Sequence, residues 1–282
     1  MEKIPCTIVL CGGGVKGTFQ SGFLTELINS EKYDIQTIYA SSVGSLLAPA
    51  VANKRVDLLK DIFMSFDNFS ELFEKWPWYY FPNLFKGFHM MFFKLGIYKK
   101  NNLPDIVWNK LSINEKINAN RICKVTAWNL LKKKQYWFGG NDDVDDLING
   151  IKASCNLWLL VPPFKYKDEL YIDGGVCNFN PVDLLLENRT SNKILFIDTD
   201  TRDKQSIKKQ PRNAIELMYN LHDSILDILA EKQMNELKEM YKDQLTIIRP
   251  DKNIFINITE YNKSKMMIYY EYGRQKFFEL DL

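Results

Sequence analysis

Histidine is scarce in this chain, which has only His89 and His222 in 282 residues. One lies in an aromatic stretch and the other inside a long helical pattern. Neither falls in a loop at a strand end, where the base of a Ser-His-Asp triad belongs. Cysteine is sparse and scattered: Cys6, Cys11, Cys123, Cys155 and Cys177 are odd in number and form no CxxC pair. Neither a zinc site nor a redox motif is signalled, and reduced thiols in a cytoplasmic compartment are expected. No apolar run reaches the roughly 18 residues that a membrane-spanning helix needs. The first residues pass quickly into an apolar strand, leaving no room for a signal peptide. Net charge is only +2, so no dominant basic face points to a nucleic-acid partner. Linkers rich in proline, glycine or serine are missing too, as are repeats. One domain over 1–282 is expected, with an aromatic-rich insertion at about 76–98.

What remains is an ordinary globular balance, 46% hydrophobic and 26% charged, on a chain long enough to build a large core without disulfides. Residues 7–11 are apolar and end at a glycine cluster, as a buried parallel strand does. Helical spacing follows over 18–30, then a second strand at 35–40 and a second helix at 45–53. Two strand–turn–helix units in succession predict an α/β fold, a mostly parallel central sheet with helices on both faces. Further along, 121–128 and 135–138 read as a hairpin, 142–155 as a helix and 170–172 as a short strand. A strand at 193–198, a long amphipathic helix at 213–242, a strand at 246–248 and a helix over about 264–280 complete the pattern.

Three turns carry residue types suited to chemistry. Gly12-Gly13-Gly14-Val15-Lys16-Gly17 lies between the first strand and the first helix, where glycines let several N–H groups converge on one anion. The same residues satisfy GxGxxG, but a dinucleotide site needs an acid at the end of the second strand, and that strand ends in Ala40-Ser41-Ser42. A P-loop fails because Thr18 follows Gly17. Ala40-Ser41-Ser42-Val43-Gly44 occupies the position of a G-x-S-x-G nucleophile elbow. Ser42, with a glycine two positions on, fits that pattern better than Ser41. Asp173-Gly174-Gly175 places a carboxylate at a strand end before two glycines. Each turn alone reads equally well as tight packing, a cap or a plain turn.

In this order the three turns resemble the patatin-like phospholipase family, which carries a glycine-rich loop, a serine elbow and a later Asp-Gly-Gly or Asp-Gly-Ala turn. The likeness extends to Gly96-Ile97-Tyr98, to 153–164 leading into Asp173, to Asn180-Pro181-Val182 and to Tyr272-Gly273. Two departures stand out: Ala40 replaces the first elbow glycine, which could tilt the elbow, and Asn156-Leu157-Trp158 is bulkier than the usual run. The resemblance implies a three-layer fold and a phospholipase A-like lipid acyl hydrolase. Ser42 would be the nucleophile, Asp173 its base, and Gly12, Gly13, Gly14 and Val15 the oxyanion hole. It implies no metal and no cofactor, because the dyad and the loop supply the chemistry. The expected partner is a phospholipid or other fatty-acyl ester, reached by peripheral contact with a membrane surface. The aromatic stretch with Trp76, Trp78, Phe81 and Tyr98, near Lys86, Lys94, Lys99 and Lys100, suits either interfacial docking or core packing. An inactive lipid-binding relative and an acyltransferase using the same dyad remain as alternatives.

Overall fold

The computed structural model describes residues 2–75, 96–141, 143–157, 160–176, 180–201, 214–251 and 261–280. The aromatic stretch except for its last three residues, His89, Cys177 and Trp158 lie outside these. The first half of the chain runs β1 (Ile4–Leu10), α1 (Gly17–Asn29), β2 (Tyr33–Ser41), α2 (Val43–Ala52), α3 (Val56–Met64), β3 (Phe73–Glu74), β4 (Lys100–Asn101), α4 (Leu103–Asn109) and α5 (Ile113–Ile122). Next come β5 (Cys123–Asn129), β6 (Lys134–Phe138), α6 (Val144–Ser154), β7 (Phe164–Tyr166) and β8 (Glu169–Asp173). The chain closes with α7 (Asp183–Glu187), β9 (Lys193–Ile197), α8 (Ala214–Tyr241), β10 (Leu245–Ile248) and α9 (Lys263–Glu279).

The main sheet has the order β10-β9-β1-β2-β5-β8-β7, with β6 also on β5. From β10 to β5 every neighbour is parallel, whereas β6, β7 and β8 pair antiparallel. Parallel strands need both faces covered, and the alternation of side chains along each strand supplies two apolar faces. Ile8, Leu10, Ile38, Ala40, Val125 and Leu195 point into the layer that also holds Phe19, Phe23, Leu47, Leu59 and Tyr269 from the helices. Val9, Tyr39, Ile194 and Phe196 point the other way, onto Leu185 of α7 and Met234, Leu237 and Tyr241 of α8. The predicted three-layer α/β fold is therefore the one observed. Among the described residues no helix is long and apolar enough to cross a membrane.

Differences from the sequence reading are local. The hairpin expected at 121–128 and 135–138 is β5 with β6, but residues up to Ile122 belong to α5. That helix buries only Ala119 and Asn120, so it has no apolar stripe to detect. Its signal was a capping box, in which Ser112 and Glu115 satisfy each other's backbone N–H groups. The long helix expected at 213–242 is α8, and among the described residues its buried side chains, Leu226, Met234, Leu237 and Tyr241, begin at 226. Leu217, Leu221 and Ile225 in its first half are exposed.

Helices α1 and α9 pack backbone to backbone. A Cβ on Gly22 would sit 1.9 Å from the Tyr270 carbonyl oxygen, and one on Gly273 would sit 2.1 Å from that of Phe19. Overpacking so rigid a contact separates the helices. Gly273→Ala is accordingly expected to lower stability by about 2 kcal/mol or more, read as a lower urea midpoint. An unchanged midpoint would show that the two helices do not meet this closely.

Candidate active site

The site forms where two strands meet end to end. Strand β5 pairs with β2 through residues 123–126, with β6 through 125–129 and with β8 through 127–129. A strand has only two edges, and β6 overlaps both of the others, so β2 and β8 must share the opposite edge. They run toward each other along it. Ser41 is the partner of Thr126, and Asp173 is the partner of the next residue, Ala127. The chain leaves β2 at Ser42 and β8 at Gly174, which brings Ser42 beside Asp173.

Ser42 sits at φ 51 and ψ −124, a backbone conformation that L-residues adopt only when their surroundings hold them there. The restraints are visible. The Ser42 N–H donates to Ser154 Oγ at 2.8 Å, and the Ser42 carbonyl accepts from the Ser45 N–H at 2.9 Å and the Cys155 thiol at 3.2 Å. Small neighbours let the elbow close: a Cβ on Gly44 would lie 2.5 Å from the Leu10 carbonyl oxygen, and one on Gly12 would lie 3.1 Å from Ser42 Cβ. Ala40 lies within β2, its methyl buried in the main core, and the elbow keeps its strained geometry with that methyl present. Ser41 is fully buried, and its hydroxyl has no hydrogen-bond partner among the described residues.

The Ser42 hydroxyl donates to Asp173 Oδ2 at 2.6 Å. The other carboxylate oxygen accepts from the Gly175 N–H at 2.7 Å, and the Asp173 N–H donates to the Asn156 carbonyl at 3.1 Å. Asn156 in turn ties the neighbouring loop by donating to the Pro162 carbonyl at 2.7 Å. Gly174 allows the turn to press on β5, since a Cβ there would be 2.7 Å from the Thr126 carbonyl oxygen. Asp173 is 2% exposed and Ser42 8%. Burial pushes the Asp173 carboxyl up to about 6, against the hydrogen bonds from Ser42 and Gly175 that favour its ionised form. A carboxylate so placed is a stronger proton acceptor than one in water. His222 falls within α8 with its side chain outside the described residues.

The glycine loop lies against the same serine. Gly13 (φ 151) and Gly14 (φ 56) adopt backbone that favours glycine. The segment after β9 fixes the loop. Thr199 Oγ1 donates to the Gly12 carbonyl at 2.5 Å, and Lys16, buried, pairs with Asp200 at 2.6 Å. Gln20 bridges the Cys11 and Ile197 carbonyls at 3.1 and 2.8 Å. In a trans peptide the C=O and the following N–H point in opposite directions. Thr199 therefore orients the Gly13 N–H as well, away from β9. Of the residues that sequence reading singled out, the structure joins Ser42 to Asp173 and sets Gly12 against Ser42, and Gly13, Gly14 and Val15 follow Gly12 on the same loop. Sequence reading missed Ser154, Cys155 and Thr199. Ser154 follows from its place just before the Asp173 region, whereas nothing in the sequence marks Thr199.

A mostly parallel α/β sheet with a polar centre at the carboxyl ends of β1 and β2 defines the class. Within it, residues 8–186 match the model of the patatin-like phospholipase family. The chain belongs to that family. It is 33% identical over 70 residues to the probable lipid hydrolase 463L of Invertebrate iridescent virus 6, a match spanning 24% of this chain and 24% of that protein. The crystal structure of VipD from Legionella pneumophila shares the fold, with a TM-score of 0.50 at 13% identity over 99% of this chain and 67% of the other.

The raised carboxyl has a consequence for stability. Folding lifts Asp173 from about 3.8 to about 6, so its ionised form is disfavoured in the native state. The penalty is absent below about pH 4 and complete above about pH 6. Asp173→Asn removes it. The variant is expected to be more stable than the parent at pH 8, by on the order of 3 kcal/mol, with the gap closing by pH 4. A gap that stayed constant across this range would contradict the buried, raised carboxyl.

Proposed function

We propose that this protein hydrolyses fatty-acyl esters of lipids through a Ser42–Asp173 dyad and an acyl-enzyme. The observation that carries the reading is the 2.6 Å hydrogen bond from the Ser42 hydroxyl to a buried carboxylate at a strained strand-to-helix turn. Ser42 Oγ attacks the ester carbonyl carbon while its proton passes to Asp173 Oδ2. The N–H groups of Gly13, Gly14 and Val15 receive the oxyanion, one such donor being worth about 3 kcal/mol in the barrier. As the tetrahedral species collapses, the ester C–O bond breaks and Asp173 returns the proton to the leaving alkoxide. Water then attacks the acyl-enzyme with Asp173 again taking a proton, releasing the fatty acid and restoring Ser42. Family membership supports lipid esters as the substrate class, as does the name of the viral relative, although that match covers only about a quarter of each chain.

Three measurements test this. A fluorophosphonate probe is expected to modify Ser42, with labelling and hydrolysis of a fatty ester abolished in Ser42→Ala and hydrolysis abolished in Asp173→Asn. Full turnover in either variant would falsify the dyad, and products esterified to an added alcohol would turn the reading to acyl transfer. Because the base acts ionised, kcat/KM is expected to fall as pH drops through about 6. A profile flat down to pH 4 would assign the base elsewhere. Thr199→Val removes the hydroxyl that orients the Gly12–Gly13 peptide. It is expected to lower kcat about tenfold or more with KM little changed, and a rise in KM alone would place Thr199 in substrate binding instead.

A further inference from the structure

We propose that the exposed face of α8 over residues 217–229 is the surface by which this protein docks on an anionic lipid membrane. The helix is too long for the sheet it crosses. Its 28 residues rise about 42 Å, whereas β9 and β10, with five and four residues, span less than about 17 Å. From Leu226 onward it is fixed to the body: Leu226, Met234, Leu237 and Tyr241 are buried, and the Ala230 carbonyl accepts from Asn180 at 3.1 Å. Only the short turn Lys242–Gln244 separates its end from β10. The excess length therefore lies at the other end. That is the end reached from the carboxyl terminus of β9, whose next residues, Thr199 and Asp200, hold the glycine loop beside Ser42.

An apolar stripe runs along the projecting end and continues one turn past Leu226. Leu217, Leu221, Ile225, Ile228 and Leu229 are between 44% and 68% exposed. At about 100° per residue they fall within an arc of about 120°. Asp227 falls outside that arc, while Lys232, one turn beyond Ile228, falls within it and is exposed. Five large aliphatic side chains on one exposed helical face are unusual in a protein surface and mark a contact with something apolar. Charge chooses among the occupants. The residues directly before α8, 202–212, include Arg202, Lys204, Lys208, Lys209 and Arg212 against one acid, Asp203. A basic run that precedes an apolar helical stripe in the sequence suits a surface that is apolar inside and anionic at its headgroups. A second copy of this chain would bring the same positive charges together. The placement deepens the acyl-hydrolase reading and rests on it, since the projecting end of α8 is reached from the carboxyl end of β9, and the parallel β2 leads into Ser42 at the same end of the sheet.

The test measures binding without turnover. Protein carrying Ser42→Ala is floated with vesicles of two parts phosphatidylcholine to one part phosphatidylglycerol. It is expected to bind them, to bind pure phosphatidylcholine more weakly, and to lose affinity in high salt. Adding L221S, I225S and I228S is expected to weaken vesicle binding about tenfold or more. In the Ser42 background the same three substitutions should leave hydrolysis of a soluble short-chain ester unchanged, which reports an intact fold. Binding equal to that of the parent would overturn the proposal. So would a wild-type dimer that the three substitutions convert to monomer, because a second copy would then be the occupant. Absence of ester hydrolysis with vesicle binding retained would count against the acyl-hydrolase reading alone.

Discussion

Strand β5 offers one edge to two strands that run head to head, β2 ending at Ser41 and β8 ending at Asp173, on consecutive register positions. The rest of the candidate site depends on that arrangement. Backbone ladders fix strand ends far more tightly than side-chain contacts fix loops, so the separation of serine and carboxylate is set by β5. The neighbouring restraints follow from it. Gly174 must be small to clear the Thr126 carbonyl, Gly44 must be small to clear that of Leu10, and the strained Ser42 is held by Ser154 and Cys155.

Burying a carboxylate at such a junction is unfavourable unless hydrogen bonds compensate. Asp173 keeps two donors, the Ser42 hydroxyl and the Gly175 N–H, yet its carboxyl remains raised because desolvation outweighs them. The opposing tendencies leave a group that is ionised near neutrality and still basic enough to accept a proton, the balance a general base requires. The glycine loop is handled differently. Its shape is imposed by the turn after β9, through Thr199 and the Lys16–Asp200 pair, so its backbone N–H groups are held in fixed directions.

The same turn connects the site to α8. A crossover helix between two short parallel strands needs about 10 to 12 residues to return; this one has 28. The surplus emerges on the side of the sheet where Ser42 lies and has apolar side chains facing solvent. The candidate site and the exposed stripe are thus linked through one connection, the chain between β9 and β10.

Much of this was legible in the sequence because it is local. β-branched runs ending in glycine or small residues gave β1 and β2, and the glycine loop, the Ser42 elbow and the Asp173 turn were all readable as short patterns. Helix α5 was not, because its faces are mostly polar and only its capping box marked it. Nor was Thr199, a threonine like any other until the fold sets it against Gly12 across 187 positions of sequence. The effect of Ala40 also lay beyond the sequence, since only packing reveals that its methyl enters the core while the elbow keeps its angles. Sequence determined which groups are available and the local bends that present them, because those depend on neighbours a few residues apart. Tertiary structure decided that Ser42 and Asp173, 131 positions apart, meet at one hydrogen bond. That meeting requires a strand order and a shared edge, and strand order is set by long-range burial rather than by any local pattern.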